Sequence, residues 1–359
     1  MSEQLKQHRD QIDAIDEQIL SLVNARAALA RTIGSLKDDG VIYRPEREAQ
    51  VLRRLQANNQ GPLSADAISY IFRGVMSNCR ALEKELSIAF LGPLGTYSEE
   101  AALKQFGLGR SAVVCGSIDE VFRTLEADLA DYGVVPVENS TEGAVGLTLD
   151  LLLASPLQIC GEIMLPVHHC LLSKQTDIAQ ISHVFSHSQS LSQCHEWLNK
   201  TLPQAVREPV TSNAFAAKMI HELVSADNTF AAAIASKRAA ELFDLNVLAE
   251  NIEDDPKNTT RFLVLGKHEV APSGFDKTST VMTSLNKPGA MVQLLEPLSR
   301  HGVTMTKLES RPSKLGLWDY VFFVDLDGHQ QDEKVKLALS ECQQRASFLK
   351  VLGSYPAAI

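Results

Sequence analysis

The chain has 359 residues, of which 45% are hydrophobic and 22% charged, and its net charge is −10. This composition excludes disordered and fibrous classes, the length predicts two or three domains, and no run of about 18 uncharged apolar residues is present to span a membrane. The acidic balance makes nucleic acid a poor partner. Six scattered cysteines without a Cys-x-x-Cys pair read as reduced thiols. With a polar, acidic start in place of a basic and then apolar leader, they lead us to expect a cytoplasmic protein. His168-His169 and His183, His187 and His195 lack zinc spacing, and there is no Walker loop, G-x-S-x-G or G-x-G-x-x-G, so no metal or cofactor is expected.

The charge is uneven. Residues 1–85 hold twelve cations, nine of them arginine, against twelve acids, and the whole excess of negative charge lies beyond them. Arginine-rich sequence inside an acidic protein points to a small anionic ligand, because the guanidinium fork matches carboxylates. Ile12, Ile15, Ile19, Leu22, Val23, Leu29, Ile33 and Leu36 have helical spacing. They predict a first helix over residues 3–37, stopped by Asp38-Asp39-Gly40. At ~1.5 Å per residue it would be about 50 Å long, too long for its own module to cover, so a partner chain should lie along it. Arg44-Pro45-Glu46 opens a second helix, and Ser64 caps a third through Ile68, Phe72, Val75, Cys79 and Leu82. At about 100° per residue, Arg26 and Lys37 fall within the apolar stripe of the first helix and Arg9 at its edge. Glu83 points inward from the third. Buried charge is costly alone, so these cations meet an anionic ligand, snorkel, or pair with neighbouring acids such as Glu83.

The set Arg9, Arg26, Lys37, Arg47-Glu48 and Glu83 on three such helices resembles the all-α chorismate mutases over about 85 residues. The resemblance implies an intertwined homodimer. Arg26 and Lys37, with Arg9 of the partner chain, would hold the carboxylates and ether oxygen of chorismate. Arg47 would meet the ring carboxylate and Glu48 the ring hydroxyl, with Arg44 and Cys79 also at the substrate. A Claisen rearrangement needs no nucleophile. It needs the compact conformer held and the charge growing on the ether oxygen stabilised. Arg44 replaces a frequent aspartate, and Glu83 stands where many relatives have glutamine.

From Ser87 short apolar runs (Ile88–Leu91, Tyr132–Val137, His169–Leu172, His183–Phe185, Thr229–Ile234, Arg261–Leu265) alternate with helical stretches, predicting an α/β region with parallel strands. Four polar clusters flank these strands: Gly92-Pro93-Leu94-Gly95-Thr96-Tyr97-Ser98, Val135-Pro136-Val137-Glu138-Asn139-Ser140-Thr141, Ser186-His187-Ser188-Gln189 and Thr259-Thr260-Arg261-Phe262. Such clusters at strand ends mark ligand crevices or serve as caps and turns. In this order they resemble prephenate dehydratase from about Ile88 to Gly266. That implies a two-lobed, periplasmic-binding-protein-like unit holding prephenate between its lobes, with Glu138, Asn139, Thr141, Ser186, Gln193, Thr260 and Arg261 in the pocket. Thr260 would contact the leaving hydroxyl, and Arg261 would either anchor a carboxylate or brace the strand.

Residues 268–277 read as a linker. Beyond it the order strand, helix, strand, strand, helix, strand is the ferredoxin-like signature. Asn286-Lys287-Pro288-Gly289-Ala290-Met291 and Leu308-Glu309-Ser310-Arg311-Pro312 resemble the ligand loops of ACT regulatory domains. The resemblance implies that phenylalanine binds at Gly289, Ala290, Glu309, Ser310 and Arg311, between two chains. The expected units are 1–86, 87–267 and 277–359: all-α, α/β and α+β. Chorismate and prephenate are the expected substrates and phenylalanine the effector.

A carboxylate at Glu83 would repel charge developing on the ether oxygen, while the protonated acid would donate a hydrogen bond to it. Chorismate turnover is therefore expected to rise as pH falls, and Glu83→Gln to flatten that slope. A kcat/KM profile already flat from mildly acidic to alkaline pH would contradict this.

Overall fold

The computed structural model describes residues 3–36, 41–222, 230–284, 287–312 and 320–359. Lys37, the Asp38-Asp39-Gly40 stop, Asn286, and the expected strand ends at Thr229, Leu285 and Trp318 lie outside them. Among the described residues no helix is long and apolar enough to cross a membrane.

Three helices open the chain: α1 (Glu3–Ser35), α2 (Pro45–Asn58) and α3 (Ala65–Ala81). Pro45 sits in the first turn of α2, and the Ser64 side chain accepts from the Ala67 amide to cap α3. No residue of α1 is buried within one chain, and Ile12, Ile15 and Ile19 are each more than half exposed. Tyr43, between α1 and α2, is fully buried among Phe90, Phe106 and Tyr132 of the central unit. This aromatic contact anchors the helices to that unit.

The central unit has two lobes. The first contains β1 (Leu86–Leu91), α4 (Tyr97–Phe106), β2 (Arg110–Cys115), α5 (Ile118–Glu126), β3 (Tyr132–Asn139), β4 (Gly143–Ala144), α6 (Gly146–Ala154) and β5 (Gln158–Pro166). The second contains β6 (Cys170–Ser173), β7 (His183–Ser186), α7 (Ser188–Gln193), α8 (His195–Thr201), β8 (Val206–Pro209), α9 (Asn213–Glu222), β9 (Ala231–Ala235), α10 (Lys237–Phe243) and β10 (Asn246–Ala249). The chain then returns to the first lobe as β11 (Thr259–Gly266), giving sheets ordered β2-β1-β3-β11-β5 and β10-β6-β9-β7-β8. The expectation of parallel strands holds for β1, β2 and β3 and for β7, β8 and β9, but fails at β6, which pairs antiparallel with β9 and β10, and at β11, which pairs antiparallel with β3 and β5. β11 comes back from the other lobe without the crossover helix that parallel pairing requires.

The last unit runs β12 (Asp276–Thr283), α11 (Ala290–Arg300), β13 (Met305–Pro312), β14 (Tyr320–Asp327), α12 (Glu333–Arg345) and β15 (Phe348–Pro356), with sheet order β13-β14-β12-β15. It does not hang on a free linker. Val281, Val321, Phe323, Leu352 and Tyr355 share one apolar core with Val137, Leu149, Leu152 and Leu263 of the first lobe. The Arg53 guanidinium of α2 bonds Ser273 Oγ and the Phe275 carbonyl of the connecting segment.

Candidate functional sites in two pockets

A pocket of ≈ 440 Å³ opens where α1, α2 and α3 converge. Arg26, Arg44, Arg47, Arg54 and Arg80 line it, with Glu48, Glu83 and Cys79. Five guanidinium groups around one apolar-floored space form a receptor for a small polycarboxylate. Gly34 lets α1 pass close to the acid at the rim, since a Cβ there would lie 2.9 Å from Glu83 Oε2. Arg9 is exposed and outside this pocket. Arg80 is 5% exposed and forms an ion pair with Glu48. Its Nη2 donates to the Phe106 carbonyl of α4 at 3.2 Å, and its guanidinium stacks on Tyr43 at 5.1 Å. The Ser77 hydroxyl donates to the same carbonyl. The central unit therefore holds the arginine that holds Glu48.

The second pocket is a cleft of ≈ 740 Å³ between the two lobes. The residues opening α4 (Thr96, Tyr97, Ser98), α7 (Gln189, Ser190) and α9 (Ser212, Asn213) line it, and among the described residues no Lys or Arg does. Helix N-termini present unpaired N–H groups and positive dipole ends, so this cleft favours anions without a cationic side chain.

Asn139 and Thr260 face the cleft from paired positions on β3 and β11. The pairing slips after Arg261, so that Phe262 opposes Pro136 and Val137 is bulged out. Asn139 Nδ2 donates to Asn258 Oδ1 and to Thr260 Oγ1, both at 2.9 Å. Asn139 Oδ1 accepts from the Thr141 amide at 3.0 Å and from the Thr141 hydroxyl at 2.6 Å. Thr260 Oγ1 thus accepts from Asn139, and its own proton meets no protein acceptor among the described residues. Gln193 bridges the lobes, donating from Nε2 to Thr141 Oγ1 at 3.0 Å while its Oε1 accepts from Asn258 Nδ2 at 3.1 Å. His169 Nε2 bonds the same Oε1 at 3.0 Å, and Tyr97 OH meets His169 Nδ1 at 2.8 Å. Burial holds the His169 pKa below the ordinary histidine value despite the bond to Gln193, so the ring is neutral at pH 7. The neighbouring Glu253 is pushed up by burial, but bonds from His168 and the His169 amide bring it below its ordinary value.

Side-chain alternation along strands separates residues that adjoin in sequence. Glu138 points away from the cleft and pairs with Lys307 of β13 at 2.6 Å. Arg261 is likewise turned away from the cleft and bonds Glu162, Asp325 and Tyr355. Ser186 is fully buried behind the cleft, donating to Asn213 Oδ1 and the Ile234 carbonyl. It holds the start of α9 and is absent from the cleft lining. In the last unit Gly289 has φ +79° at the start of α11, followed by the buried Ala290. Glu309, Ser310 and Arg311 lie consecutively on β13, with Ser310 on the exposed side. Arg311 faces the first lobe, where it bonds Asp150 and lies over Gly146.

Family models match in chain order: chorismate mutase type II at residues 8–84, prephenate dehydratase at 88–270 and the ACT domain at 278–342. A bifunctional chorismate mutase/prephenate dehydratase of Neisseria gonorrhoeae is 51% identical, covering 100% of this chain and 99% of its own. The chain belongs to the bifunctional chorismate mutase/prephenate dehydratase family. Members of this family join an isomerase and a lyase in one polypeptide. The homologue from Pseudomonas aeruginosa is 46% identical over 99% of both chains. The crystal structure of prephenate dehydratase from Arthrobacter aurescens in complex with L-Phe superposes with TM-score 0.69 at 32% identity, covering 76% of this chain and 90% of that one.

Sequence reasoning missed Arg54, Arg80 and His169. Arg80 lies four residues beyond Met76 on a buried helix face, the same signal that marks Arg26. His169 offers only a metal-ligand reading from sequence, and no local pattern ties it to Gln193 or Tyr97. Arg80→Met leaves the half-buried Glu48 without its partner, and chorismate turnover is expected to fall by about tenfold or more while prephenate turnover is kept. Steady-state kinetics on each substrate check this; unchanged chorismate kcat in a folded variant would show that Glu48 needs no such support.

Proposed function

We propose that the chain rearranges chorismate to prephenate in the arginine-lined pocket and converts prephenate to phenylpyruvate in the cleft, with phenylalanine restraining it from the last unit. The observation that carries this reading is the pair of pockets in one chain, with five guanidinium groups of the described residues in the first and none in the second. In the first, Arg26, Arg44, Arg47 and Lys37 clamp the carboxylates and compact the substrate, Glu48 accepts the ring hydroxyl, and Cys79 and Glu83 complete the wall. Arg9 reaches the pocket of a partner chain, and the uncovered apolar stripe of α1 is the dimer surface.

In the cleft the helix N-termini take the two carboxylates of prephenate. Ring aromatisation drives loss of carbon dioxide, the electrons of its bond entering the ring as the carbon–oxygen bond breaks. The leaving hydroxyl takes a proton and departs as water. Thr260, fixed as an acceptor toward Asn139, donates its proton to that hydroxyl as the carbon–oxygen bond breaks and is reprotonated from solvent, which supplies the one proton the reaction consumes. Gln193 and Thr141 hold the lobes closed on Asn139.

We assign units 1–86, 87–267 and 277–359, the middle one a binding-protein-like fold and the last a ferredoxin-like one, in a cytoplasmic homodimer. Gly289, Ala290 and Ser310 face a second copy and take phenylalanine between two units, whereas Glu309 and Arg311 stand nearer the first lobe.

Chorismate supplied to the purified protein, with prephenate and phenylpyruvate quantified separately, tests the reading. Arg26→Ala should lower chorismate turnover by about 10²-fold or more and spare added prephenate, and Thr260→Ala should do the reverse. Chorismate left untouched while prephenate is consumed would reduce the helices to a dimerisation arm.

A further inference from the structure

We propose that Arg261, through its bonds to Asp325 and Tyr355 of the last unit, is a positioning residue for the dehydratase step. The inference rests on the reading of Thr260 as the leaving-group contact. Thr260 and Arg261 are consecutive on β11, one facing the cleft and the other the opposite side. All three arms of the Arg261 fork are engaged: Nε with Glu162 Oε2 at 2.8 Å, Nη1 with Asp325 Oδ2 at 2.5 Å and Nη2 with Tyr355 OH at 2.9 Å. The side chain is 9% exposed. Its partners are tied in turn. Ser279 Oγ bonds Asp325 Oδ1 at 2.5 Å and Tyr355 OH at 2.6 Å, and Glu162 also receives Lys277 at 2.8 Å.

Glu138, paired with Arg261 across the strands and adjacent to Asn139, is held by Lys307. Both strands of the reacting face are therefore gripped from behind by the last unit, one residue from Asn139 and Thr260. The register slip opposite Arg261 and Phe262 bulges Val137 out of β3 and interrupts the β3–β11 ladder two residues from Asn139, so the pairing that aligns Asn139 with Thr260 is held here by neighbouring groups as well as by ladder bonds. A fully engaged guanidinium fork does so with little freedom. The last unit is on this account a structural part of the dehydratase site.

Asp325→Asn in the full-length protein tests this, with Tyr355→Phe as the milder second variant and Thr260→Ala as the reference. In the folded Asp325→Asn protein, prephenate kcat should fall by about tenfold with KM within about twofold, and chorismate kcat should be unchanged. Tyr355→Phe should move kcat in the same direction by a smaller factor, and it decides alone if the first variant does not fold. A role in stability only would lower the melting temperature and leave kcat per folded molecule at the wild-type value, which overturns the proposal. Thr260→Ala separates the two claims. If it abolishes turnover while the Asp325 and Tyr355 variants keep kcat, only the positioning role fails. If Thr260→Ala is itself active, the reading of the site fails and this proposal with it.

Discussion

The antiparallel pairing of β3 with β11, bulged at Val137, is the constraint on which the central unit depends. Strand geometry sends consecutive side chains to opposite faces. Asn139 and Thr260 therefore look into the cleft, while Glu138 and Arg261 look toward the last unit. The bulge keeps the two cleft-facing sets aligned, because without it Pro136 and Asn139 would fall on opposite faces. Pro136 has no N–H to give to the ladder, so a register slip beside it costs less than elsewhere in the strand. The shared core of Val137, Leu149, Phe323 and Leu352 then makes the regulatory unit and the reacting strands one packed body.

The two pockets solve different problems with different electrostatics. A Claisen rearrangement gains from positive charge held against the substrate and needs no proton, which suits guanidinium groups. Loss of a hydroxyl group needs a hydrogen-bond donor in a site dry enough to matter, and a dianion still has to be held. Helix N-termini line the cleft with backbone groups, and Thr260, Asn139, Gln193 and His169 are among the polar side chains that line it with them. Arg80 joins the pockets' scaffolds: it pairs with Glu48 on one side and bonds Phe106 of the central unit on the other.

Helices are more legible in this sequence than strands, for a physical reason. The stripe of α1 and the cap at Ser64 are local, so the residues predict them. Arg26 sits in the predicted pocket because the period of 3.6 fixes its face. Motif residues on strands read as clusters in sequence, yet Glu138-Asn139, Thr260-Arg261 and Ser310-Arg311 each split between two faces. Applying the period of two would have divided them. β5 escapes a sequence reading because Gly161, Glu162 and Pro166 break its apolar pattern, and the groups that satisfy Glu162 are Arg261, Lys277 and the Ala358 amide, all about a hundred residues away or more. The buried arginines Arg80 and Arg261 depend on partners from other units, which local sequence does not display.

Amide hydrogen exchange on the full-length protein, with and without saturating L-phenylalanine, tests most directly whether the last unit grips the reacting strands. The account predicts that phenylalanine changes exchange at β11 and β3, around Thr260 and Asn139, as well as within residues 277–359. A change confined to 277–359, with β3 and β11 untouched while prephenate turnover is inhibited, would contradict it.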